Sequence, residues 1–204
     1  MNSFEGTNIE DISQCGSNDF GSGLQTRLYY APSDFFKRLD LPASTQNYQE
    51  KLLISTDFIE FQNEDCGWAY IDILIDENEL KSALAGNLQR KKSRSALDIF
   101  ILGLRSRILG FLEVHANTPL VFCIPSSDDN SFLIGNLKNR AFIDQANGTS
   151  GKKYDDNAGV AASITCNSPV YFFDTNLIIE PHDSEPGTAT GGSGGGFIDL
   201  TQDF

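Results

Sequence analysis

Histidine is nearly missing from this chain, with two among 204 residues, and cysteine is sparse, with four at positions 15, 66, 123 and 166. No Cys-x-x-Cys pair occurs, so the spacing that holds structural zinc is missing. Basic residues are also in short supply, 15 against 28 acidic ones, for a formal charge of -13. That balance argues against adhesion to nucleic acid or anionic lipid as the main task. No apolar run reaches the roughly 20 residues of a membrane span. The first 21 residues are acidic and polar where a signal peptide would be basic and then apolar, which predicts a soluble, unexported chain. One Met and one Trp stand against 15 Phe and 6 Tyr. With many Ile and Leu, this predicts an aromatic-rich β interior and one domain of ordinary size.

Residues 1–23, rich in Ser, Asn, Asp and Gly, read as an arm that is flexible or ordered against a neighbour. Residues 24–180 read as a single β-rich domain, and 181–204 as a glycine-rich tether ending in the apolar tip "FIDLTQDF". Leu24, Leu28 and Tyr30 can share one face of an opening strand, and "SDFFKRLDL" reads as a short turn or helix capped by Ser33 or Asp34. Stretches 51–62 and 67–76, separated by "NEDCG", predict a β-hairpin. The segment 77–93 has room for one helical turn, but Gly86, Asn87 and the basic run Arg90, Lys91, Lys92 and Arg94 predict a loop or a solvated hairpin tip.

A strand is expected over 96–103, then a helix over roughly 104–116, where Leu104, Ile108, Leu109, Leu112 and His115 recur at helical spacing. "TPLVFCIP", "SSDDNS" and "FLIG" give a strand, a turn and a returning strand. "AFIDQ" and "VAASITCN" flank a loop at 147–159, and "VYFFDTNLIIE" supplies a last strand. Cys123 and Cys166 lie in apolar strand contexts, where a reduced thiol acts as a small hydrophobe.

The loop "NGTSGKKYDDNAG" invites two chemical readings. A phosphate-binding loop needs wider glycine spacing and a Lys followed by Ser or Thr, whereas Lys152 is followed by Lys153. A helical calcium loop needs a distal Glu, and "VAASIT" supplies no carboxylate. His115 reads as a satisfied structural histidine beside the core, and His182 belongs to the tether. With no base, nucleophile or metal set, neither an enzyme nor a cofactor is predicted.

The run from His115 to Phe173 resembles small virion proteins of tailed phages and prophages of Bacteroidetes-type hosts, the tail-tube or tail-ring subunits. Ala116-Asn117, Ile134-Gly135, Gly151-Lys152 and Asp155-Asn157-Gly159 match that pattern, and "QCGSNDFGSGLQTRLYYAP" is similar to the family's Cys- and Gly-rich opening. The tether and the basic "QRKKSR" stretch depart from it. The resemblance implies an antiparallel β-sandwich or half-barrel flanked by one helix, made in the bacterial cytoplasm and assembled into the virion. It implies homo-oligomeric rings stacked into a tube, with other virion proteins met through the N-terminal arm and the C-terminal tip. DNA would be passing cargo and no membrane is involved. Expected assembly contacts are Lys152, Lys153 and Tyr154 in the loop, with Phe197, Ile198, Leu200 and Phe204 in the tip. Two alternatives stand beside it: a capsid-decorating or neck protein, and a soluble carbohydrate- or ligand-binding β-domain using Tyr29, Tyr30, Phe35, Phe36, Trp68 and Tyr70.

Overall fold

The computed structural model describes residues 23–42, 47–48, 50–55, 59–126, 130–153 and 156–173. Twelve strands and one α-helix follow one another: β1 (Arg27–Pro32), β2 (Phe36–Leu39), β3 (Leu53–Ile54), β4 (Ile59–Phe61), β5 (Ala69–Asp72), β6 (Glu79–Ala85), β7 (Lys92–Leu102), α1 (Ser106–His115), β8 (Leu120–Pro125), β9 (Ser131–Ile134), β10 (Ala141–Thr149), β11 (Gly159–Cys166) and β12 (Tyr171–Phe173). The fold is mainly β, as expected. Ten strands form one sheet in the order β3-β12-β9-β8-β10-β11-β7-β6, with β1 on β8 and β5 on β1, while β2 and β4 make a separate pair. Every pairing is antiparallel except β12 with β3.

The alternation in "KSRSALDIFIL" sets Ser95, Leu97, Ile99 and Ile101 of β7 inward, the period of two that a pleated strand imposes. β8 is an apolar run because both its faces are covered. Leu120, Phe122 and Ile124 enter one core with Leu28, Ile134 and Ile164, and Val121 and Cys123 enter another with Ile54, Trp68 and Tyr171. The sheet curls around the first core until the chain after β5 meets β7. There the Leu74 N–H donates to the Phe100 carbonyl at 2.8 Å, and the Phe100 N–H donates to Asn78 Oδ1 at 3.1 Å. The result is a half-barrel. The β2–β4 pair covers the second core, with the Phe36 and Phe61 rings stacked at 4.8 Å and Trp68 edge-on to Phe36 at 5.3 Å.

α1 links β7 to β8 across two intervening strands, so it must pass over the half-barrel. None of its residues is fully buried; Ile108 reaches the inner core, and Tyr30 packs against Phe111 and His115. Leu109, expected on the buried face, is exposed, because the helix rests on the sheet along Ile108, Phe111, Leu112 and His115.

Four expectations need correction. Residues 51–62 and 67–76 do not form a hairpin: β3 runs beside β12, β4 beside β2 and β5 beside β1, because apolar side chains on these short strands are buried by distant partners. Residues 33–35 form one 3₁₀ turn entered from Pro32, with no side-chain cap from Ser33 or Asp34. The stretch "ELKSALA", rich in helix formers, is strand β6, since its ladder with β7 outweighs local propensity. The loop of 147–159 is shorter than read, because Asn147–Thr149 and Gly159 already belong to β10 and β11. The N-terminal arm to residue 22 and everything after Phe173, including the tether and tip, lie outside the described residues.

Candidate functional site

The loop between β10 and β11 is closed by its own carboxylate. Asp156 Oδ2 accepts the backbone N–H groups of Lys152 and Lys153, each at 2.8 Å, and the Asp156 N–H donates to the Lys153 carbonyl at 3.2 Å. Gly151, at φ +76°, makes the bend, and a Cβ there would stand 3.2 Å from that of Asp156. Two convergent amides of this kind form an anion-binding concavity. Here the anion is supplied internally, which accounts for the loop's likeness to a phosphate cradle without making it one. The Lys152 and Lys153 side chains are exposed and take part in no ion pair among the described residues. Tyr154, Phe197, Ile198, Leu200 and Phe204 lie outside the described residues.

The titratable groups inside the fold are insulated. Cys123 is fully buried and burial drives its thiol far up. Cys166 is raised by the same cause, its Sγ donating to the Asn139 carbonyl at 3.2 Å and standing 3.1 Å from Ser168 Oγ. Contrary to the expectation of a satisfied histidine, the buried Nδ1 of His115 has no hydrogen-bond partner among the described residues, because its neighbours are the aromatic rings of Tyr30 and Phe111. Burial lowers its pKa. Among the described residues no three His, Cys, Asp or Glu side chains stand together as metal ligands would.

The aromatic residues that a sugar-binding face would use are divided. Phe36 and Trp68 are in the second core, Tyr29, Tyr30 and Phe35 are half-buried, and Tyr70 alone is exposed, with the Arg27 guanidinium 4.3 Å over its ring. An open groove of about 640 Å³ runs between Lys37–Pro42 and Asn136–Lys138. Lys37 is engaged with Glu60 and Arg38 with Asp40, and Lys138 forms no ion pair among the described residues. Asn136 Oδ1 accepts the N–H groups of Lys138 and Asn139 at 2.9 and 2.7 Å, so the residue holds the corner between β9 and β10.

The surface that stands out is the β6–β7 hairpin. β6 ends the large sheet, and among the described residues nothing pairs with its outer edge. Six of its seven residues are exposed, and the pair Ala83–Ala85 with Lys92–Arg94 runs past the end of β11, whose last partner on β7 is Ser95. At the tip, residues 86–94 carry Arg90, Lys91, Lys92 and Arg94 and no acid; at the base, Asp76, Glu77 and Glu79 carry three acids. None of the four tip cations forms an ion pair among the described residues. Leu84 and Leu88 are 67% and 87% exposed. The described residues contain two non-glycine positions of positive φ, Asp76 at 62° and Gln89 at 65°, one in each turn that bounds β6. The basic run was legible in the sequence as a hairpin tip; the strand below it was not, although the Gly86-Asn87 turn signal between two stretches of small and apolar residues pointed there.

Compared with known proteins, the chain matches no family model, no curated protein and no solved structure.

Proposed function

We propose that this chain is a non-enzymatic structural subunit of a phage virion, a tail-tube-like protein whose copies form rings that stack into a conduit for DNA. The observation that carries this reading is the open sheet. A ten-stranded sheet that ends in an exposed strand offers unpaired backbone groups to another chain, the usual liability of an edge and the usual material of an assembly. The resemblance of residues 115–173 to tail subunits gives the kind of assembly. The formal charge of -13 suits a lumen that must not hold phosphates, because a basic wall would bind DNA by counterion release. Lys152 and Lys153, exposed side chains whose backbone amides are held by Asp156, are suited to meet acidic groups on a neighbouring subunit.

Light scattering with negative-stain imaging of the full chain, across a concentration series, tests the reading. Rings or tubes, six-fold or a multiple, are the expected result. Monomers or closed dimers at every concentration and ionic strength would overturn it.

A further inference from the structure

We infer that the free chain pairs with a second copy of itself through β6, antiparallel about a two-fold axis at Ser82. The hairpin is self-complementary in this one orientation. An antiparallel register centred on Ser82 sets Leu80 against the second copy's Leu84 and Leu84 against its Leu80. Leu80, Ser82 and Leu84 share one face of the strand, since successive side chains alternate. Leu80 already packs on the inner core and Leu84 stands exposed, so the pairing extends the core across the axis and covers both leucines. The same register sets Asn87 and Leu88 of each tip opposite the other copy's Glu77 and Asp76, so that Arg90 and Lys91 of the same turn lie toward that acidic turn at both ends, while Lys92 and Arg94 stand one strand back on β7. A parallel arrangement would instead oppose tip to tip and base to base, and like charges would repel. The two positive-φ residues that bound β6 fix the turns bearing those charges.

This inference goes beyond the ring proposal and does not depend on it. A two-fold contact closes on itself and stops at two copies, whereas a ring runs head to tail. The pairing therefore describes the free subunit with its sheet edge covered, and a ring must exchange it for other contacts.

The test is disulfide trapping of the full chain in a Cys15→Ser, Cys66→Ser background, whose two other cysteines are buried. In the register given, the two Ser82 residues oppose each other with Cα atoms about 4.5–5.5 Å apart, within the span of a disulfide. Ser82→Cys is expected to give covalent dimers under mild oxidation. Leu88→Cys, more exposed but about 30 Å from its counterpart at the far tip, is expected to stay monomeric. Reversing Arg90 and Lys91 to Glu should weaken dimerisation by about tenfold or more, two pairs at each of the two ends each contributing up to about 1 kcal/mol. Trapping of Leu88→Cys as efficiently as Ser82→Cys, or of neither, overturns the inference. Rings without Ser82→Cys trapping sink this pairing and leave the proposed function standing; trapped dimers without rings do the reverse.

Discussion

Two glycines show how much a single hydrogen can decide in this fold. A Cβ added at Gly159 would lie 2.3 Å from the Ile101 carbonyl oxygen and 2.7 Å from the Phe100 ring, so β11 can lie against β7 there only without a side chain. Gly159→Ala is expected to destabilise by about 1–3 kcal/mol or more. On α1, a Cβ at Gly110 would meet nothing within 4 Å, and Gly110→Ala should stabilise by about 0.5–1 kcal/mol. Urea titrations of the two variants check both signs. His115 gives the fold a pH dependence. Its folded pKa lies below the ordinary 6.5, so the unfolded chain takes up the proton first. The stability this group allows is complete above pH 6.5 and is lost as pH falls through the lowered folded value. The melting temperature should drop between pH 7.5 and pH 5, and His115→Phe, which keeps the packing on Tyr30 and Phe111, should flatten that part of the profile. A histidine profile unchanged by the substitution would refute the assignment.

Elements differ in how firmly they are held. β7 lies between β6 and β11 and sends Leu97, Ile99 and Ile101 into the inner core, while α1 contributes only partly buried side chains. Ile99→Ala is expected to cost about 2–5 kcal/mol. Ile108→Ala should cost distinctly less, and the α1 amides should exchange with solvent sooner than those of β7 and β11, which hydrogen-exchange mass spectrometry would resolve. The same contrast sorts what the sequence could show. α1, β7, the β8–β9 hairpin and the β10–β11 pair were all legible, since their partners lie close in sequence or their periodicity is long. β3, β4 and β5 fall within the two stretches legible as strands, the first two merged in one, and their partners were not legible because each is paired by residues twenty or more positions away. β6 was hidden by its Glu, Leu, Lys and Ala content, which favours a helix wherever no ladder is on offer.

At the scale of the molecule, the described fold closes one core inside the half-barrel and a second beneath the β2–β4 pair, and the sheet stays open at β6. Among the described residues, each core already holds ten or more buried side chains. Removing residues 187–204, whose composition is mostly glycine and polar residues, is therefore expected to leave the melting temperature of the body unchanged in calorimetry. A large fall would mean that the tip completes a core. The same deletion assayed for rings separates a tip that assembles subunits from one that does not.

Composition and short-range pattern were enough for the β class, the site of the helix, the buried thiols and the acidic balance. Each depends on composition or on periodicity within one element, and those are local properties. It took the assembled fold to show that Asp156 fills the amide cradle of its own loop, that Nδ1 of the half-buried His115 has no partner among the described residues, and that a strand carrying acid at its base and base at its tip forms an open edge of the sheet. These depend on which distant segments meet. Strand pairing is chosen by shared burial across the whole chain, and no local pattern records that choice.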